Sequence, residues 1–132
     1  MKESDVAFET KSPLGFAEAV GRAREALAKE GFGVLTEIDV QATMKAKLGV
    51  EWPPYVILGA CHPPSAHQAL TVAPEVGVLL PCNVTVSVEA GTTVVRAMNP
   101  NGVMAVIGKA ELAPVGEHVG AALRRVVQAC SR

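Results

Sequence analysis

Two short segments carry the side chains best suited to chemistry, Gly59-Ala60-Cys61-His62-Pro63-Pro64 and Leu79-Leu80-Pro81-Cys82-Asn83. Each sets a cysteine beside a proline-marked turn at the end of a strand, where sites commonly form. Cys61 stands just before a helix that Pro63 opens. The positive end of a helix dipole and its unpaired amides favour a thiolate or another anion there. His62 offers a base or a ligand, although neighbours on a strand point to opposite faces, so the two side chains need not converge. The competing reading of Cys61 is a buried thiol that behaves as a small apolar residue.

Cys82 follows Cys61 by 21 positions (82 − 61), far from the two-residue gap of a redox pair or half a zinc site. If their strands pair antiparallel, the end of one faces the start of the other and the two thiols meet at one edge of the sheet. Alternation with Val84, Val86 and Val88 nevertheless puts Cys82 on a core face, which favours packing. Asn83, on the polar side of that strand, can donate and accept, suiting ligand orientation or turn stabilisation. Two Cys and one His would hold a metal only by converging with a fourth ligand, and none is visible, so no metal site is assigned.

Elsewhere the reactive residue types have simpler roles. His67 is five positions from His62 and shares no helix face with it, and His118 falls in the first turn of a helix beside Glu117 with no evident partner. Cys130 lies on an apolar helix face, as core or subunit contact. Glycine-rich phosphate loops, His-Glu-x-x-His and Gly-x-Ser-x-Gly are all absent, which removes common enzyme classes. Glu18, Glu25 and Glu89 fall on outward faces, which speaks against a catalytic carboxylate pair.

The elements that position these residues follow from periodicity. Val6, Phe8 and Thr10 alternate as a strand, and Ser12-Pro13 reads as N-cap and first residue of a helix. In that helix Phe16, Val20, Ala23 and Leu27 share a face, Glu18/Arg22 and Glu25/Lys29 form four-apart pairs, and Gly31 ends it. Gly33 to Ile38 is a strand with Val34, Thr36 and Ile38 on one face and Leu35 and Glu37 on the other. Asp39 caps a helix carrying Val40, Met44 and Leu48, stopped by Gly49.

After the stiff Trp52-Pro53-Pro54 loop, the continuous apolar run Tyr55-Val56-Ile57-Leu58 predicts a central strand covered on both faces. Pro63-Pro64-Ser65 opens a short helix through Leu70, and Val76–Leu80 is either buried loop or short strand. Cys82–Glu89 and Thr93–Met98 form an antiparallel hairpin about Ala90-Gly91. Asn99-Pro100-Asn101-Gly102 breaks the strand, and Val103–Ile107 has no assigned class. Pro114 opens the last helix, whose Val115, Val119, Ala122, Val126 and Cys130 share a face. Gly116 and Gly120, one turn apart, allow a close helix approach. The mixture predicts a single α+β domain spanning residues 1–132, with a largely antiparallel sheet and helices on one face.

Composition bounds the function. The 132 residues are 49% apolar and 19% charged, as in a globular domain. No stretch runs the ~20 apolar residues of a membrane helix, so no membrane span is expected. An acidic N-terminus without a signal pattern and an odd number of cysteines, three, point to the cytoplasm and free thiols. A net charge of −1 with one Trp, one Tyr and three Phe offers neither a basic stripe nor stacking residues for nucleic acid.

The ordered motifs Gly31-Phe32 before Leu35-Thr36-Glu37-Ile38-Asp39-Val40, then Leu58-Gly59-Ala60-Cys61-His62-Pro63, then Leu79-Leu80-Pro81-Cys82-Asn83-Val84 resemble domain of unknown function family 302 of bacterial and archaeal proteins. The resemblance runs from about Phe8 to the last helix. His62 departs from it, since the family usually has Asn between the first Cys and Pro. The resemblance implies a curved antiparallel sheet with helices on it, similar to the TATA-box-binding-protein architecture, and a homodimer. It does not imply DNA binding, because architecture carries no function without a site.

Three functional readings remain open. In the first, Cys61, His62, Pro63, Cys82 and Asn83 line a site for a small ligand, anionic or thiol-reactive. The second is a thiol-based enzyme or redox protein using Cys61, and the third a structural or interaction module without chemistry. The residues specify no cofactor.

Overall fold

The computed structural model describes all 132 residues, Met1–Arg132. Six strands, β1 (Lys2–Glu3), β2 (Ala7–Ser12), β3 (Gly33–Asp39), β4 (Tyr55–Cys61), β5 (Cys82–Glu89) and β6 (Thr92–Met98), form one antiparallel sheet in the order β1-β2-β6-β5-β4-β3. The helices are α1 (Phe16–Lys29), α2 (Val40–Leu48), α3 (Pro63–Val72), α4 (Pro100–Met104) and α5 (Ala113–Ala129). The class is α+β, with helices packed on one side of an open sheet.

Cross-strand register builds the core. Phe8, Ala97, Val84 and Leu58 align across β2, β6, β5 and β4, and Thr10, Val95, Val86 and Val56 form the next row. All eight are buried. Against these rows α1 places Ala19, Ala23, Ala26 and Leu27, while α5 adds Val119, Ala122, Leu123, Val126 and Val127. Burying such side chains, at roughly 1.5–3 kcal/mol each for the larger ones, holds the helices to the sheet. Cys130 is fully buried and belongs to this core.

Several local expectations are met. Asp39 Oδ1 accepts from the Ala42 amide at 2.9 Å, and Gly49 and Gly31 end their helices at φ 65° and 82°. The hairpin turns through Ala90 and Gly91, both at positive φ. A methyl group at Gly116 would overlap the Asn101 side chain, and Gly120 lies against Phe8 and Pro100, so these glycines admit α4 and β2 to the flank of α5.

Others are corrected. Ser12 and Pro13 do not start the helix: Ser12 ends β2 and its Oγ accepts from the Leu14 amide at 3.2 Å, while Gly15 is the N-cap of α1. The expected Glu18/Arg22 and Glu25/Lys29 pairs do not form. Arg22 instead donates to the Ala129 and Arg132 carbonyls at 3.0 and 2.7 Å, capping the end of α5 with charge. A bulge at Leu35 breaks the alternation of β3. Val34 therefore faces the helices beside Ala60, whereas Thr36 and Ile38 lie on the other face beside Gly59 and Ile57.

β4 is paired on both sides but next to the edge, and helices cover only one of its faces; Tyr55 and Ile57 lie half-buried on the other. Pro74–Leu79 is a 3-10 helix rather than a strand. Val103–Ile107 is the helical run from α4 into a second 3-10 turn.

Candidate functional site

Where β4 stops and β5 starts, register pairs Ala60 with Cys82, so the antiparallel ladder brings the two cysteine segments together. Above this corner lies a cavity of ≈ 310 Å³. Ala60 and Cys82 line it from the sheet, Ala66, Ala69 and Leu70 from α3, and Val115 and Val119 from α5. Phe32, Leu80 and Met104 add to the apolar wall, the exposed Leu35 and Leu70 border its open side, and His62 and Ser65 are the hydrogen-bonding side chains.

Cys61 and His62 both reach the cavity, although strand alternation would have separated them. The strand ends at Cys61, and the chain turns at His62 into α3, so the period of two no longer applies. His62 Nδ1 lies 2.7 Å from Ser65 Oγ. Its ring is flanked by Phe32, with centroids 5.4 Å apart, and by His118 of α5 at 5.5 Å.

Cys82 is 6% exposed. Burial, reinforced by the nearby Cys61 thiol, pushes its pKa from 9.0 up to about 11. It is a protonated wall of the cavity at neutral pH. Cys61, half-buried, is the accessible thiol of the corner.

Proline limits what the start of α3 can supply. Pro63 and Pro64 occupy its first two positions and carry no N–H, and the Ala66 amide already donates to the His62 carbonyl at 3.0 Å. Ser65, at the third position, supplies the first N–H of the helix. The expected set of amides is thereby reduced to one.

The remaining candidates go elsewhere. Pro63 is exposed and outside the cavity wall. Asn83, one residue beyond Cys82, faces the opposite side of the sheet and lines a separate cavity of ≈ 300 Å³ with Tyr55, Thr85 and Arg96. Arg96 is held there by Glu9 at 2.6 Å and by Glu89. Pro81 borders both cavities. A methyl group at Gly59 would overlap Thr36 and press on Pro81, so glycine lets Pro81 settle onto β4.

Sequence comparison bears on the same residues. A profile described as Domain of unknown function DUF302 matches residues 8–130. The chain belongs to the DUF302 family. It is similar to the crystal structure of an uncharacterized conserved DUF302 protein from Bacillus stearothermophilus, with a TM-score of 0.88 and 29% identity over 94% of this chain and 97% of that one. No curated protein matches it. The matched DUF302 region contains both cysteine segments, and with them the cavity corner.

Sequence reasoning missed three residues of this corner. Ser65 was legible in principle, because three positions after His62 across the first turn of a helix brings two side chains within reach. Phe32 and His118 arrive through the packing of α1, β3 and α5, which no local spacing reveals. His118 is exposed, yet it has a partner in the His62 ring, which the sequence did not show.

Proposed function

We propose that the chain binds a small, mainly apolar molecule in the cavity between α3, α5 and the β4/β5 corner, with its polar end against Cys61, His62 and Ser65. The observation that carries this reading is the lining of the pocket: mostly apolar side chains with the few polar groups Cys61, His62 and Ser65 among them, the usual make-up of a small-molecule site. Burial in apolar walls supplies affinity, at about 25 cal/mol per Å², and the polar corner fixes orientation. The single N–H in the first three positions of α3 and the neutral Cys82 thiol make this a site for a weakly charged or electrophilic head group rather than a multiply charged anion.

Fluorescence titration with anilinonaphthalene sulfonate, an apolar probe with one anionic group, tests the reading. The expected result is saturable one-to-one binding that Ala66→Phe abolishes by filling the cavity, with both proteins melting cooperatively. Binding that persists unchanged in Ala66→Phe would refute the placement of the ligand, and a folded wild-type protein that binds none would refute the site.

A further inference from the structure

We infer that Ser65 and His62 form a nucleophile and general base able to cleave small apolar carboxylic esters in this cavity, an inference that rests on the cavity being a ligand site. Ser65 Oγ lies 2.7 Å from His62 Nδ1, within the reach that proton transfer between nucleophile and base requires. Ser65 is 7% exposed and lines the cavity. Its hydroxyl therefore meets a bound molecule at the pocket wall.

The base is held in place. Phe32 and His118 flank the imidazole at interplanar angles of 45° and 51°. Gly31, at φ 82°, backs it so closely that a Cβ there would come within 3.3 Å of the His62 ring. The general-base role requires the tautomer in which Nδ1 accepts from the Ser65 hydroxyl and the other ring nitrogen carries the proton, and the 2.7 Å separation accommodates it. After Pro63 and Pro64, the first amide of α3 belongs to Ser65 itself. An N–H at the nucleophile is one of the donors that stabilise a tetrahedral oxyanion.

The reaction balances as ester hydrolysis. Ser65 Oγ bonds to the carbonyl carbon while its proton passes to His62 Nδ1, and the carbonyl electron pair moves onto oxygen beside the Ser65 amide. Collapse breaks the carbon–alkoxy bond, and the alkoxide leaves as an alcohol with the proton from His62. Water then attacks the acyl-serine, His62 takes its proton and returns it to Ser65 Oγ, and the carboxylic acid departs. The apolar walls from α3 and α5 take the acyl chain, which sets the substrate class.

An alkyl fluorophosphonate reports this directly, because Ser65 Oγ would displace fluoride at phosphorus and keep the phosphonyl group. Intact mass and peptide mapping of the full chain should show one adduct, on Ser65. It should be absent in Ser65→Ala, and form at least ~100-fold more slowly in His62→Ala if the imidazole is the base. Equal labelling rates in wild type and His62→Ala would overturn the base role. An unlabelled Ser65 in protein that still binds anilinonaphthalene sulfonate would overturn the pair while leaving the ligand site intact; loss of both would overturn both.

Discussion

Cys61 and Cys82 differ by one step of register and by almost everything that controls a thiol. Cys82 is walled in by Ala60, α3 and α5, and its pKa of about 11 leaves roughly 0.1% thiolate at pH 8. Cys130, buried at the C-terminal end of α5, is raised to about 11 by burial against the opposing charge of Arg22. Iodoacetamide at pH 8 should therefore modify Cys61 first, with Cys82 and Cys130 at least ~10-fold slower in the folded protein. Since protonation is what burial favours, the Cys82 rate should climb about tenfold per pH unit from pH 8 towards 11. Peptide-mapped alkylation showing Cys82 reacting as fast as Cys61 would contradict this division. Its outline was legible in the alternation of Cys82 with Val84 and Val86. The convergence of Cys61 with His62 was not, because it depends on the strand ending between them.

At the scale of elements, the regular parts of the chain follow their periodicity and the irregular parts follow contacts. The β5/β6 hairpin, α3 and α5 lie where alternation, proline and the apolar stripe put them. The bulge at Leu35 reverses the face of Thr36 and Ile38, and no propensity marks such an inserted residue. Ser12-Pro13 has the residue types of a helix start, yet β2 runs through Ser12 because Thr93 pairs with it.

Glycine 102 shows the same dependence on neighbours. It sits in α4 where a methyl group would overlap the backbone of Asp5, and Asn99 ties the same segment to Ser4 by a 2.9 Å hydrogen bond. Gly102→Ala should cost about 1–3 kcal/mol through forced backbone displacement, read as a lower denaturation midpoint. Gly15→Ala, with open space around its Cβ, should shift the midpoint far less. Equal stability of the two variants would show that the N-terminal segment does not rest on α4.

The whole molecule divides its candidate residues between two faces of one sheet. The helix-covered face carries Cys61, His62, Ser65 and Cys82 around the apolar cavity, while Asn83 looks out on the other face towards Arg96. The fold class and the two cysteine segments could be read from the sequence. Their division by a single residue step at the start of β5, and the wall that Val115 and Val119 of α5 add to the cavity from the far end of the chain, belong to tertiary packing. The most direct test is a crystal structure of the protein soaked with anilinonaphthalene sulfonate. The account predicts the naphthalene ring bounded by Ala66, Ala69, Cys82 and Val119, with the sulfonate towards His62 and Ser65. Probe density elsewhere on the protein, with this cavity filled by its own side chains, would contradict it.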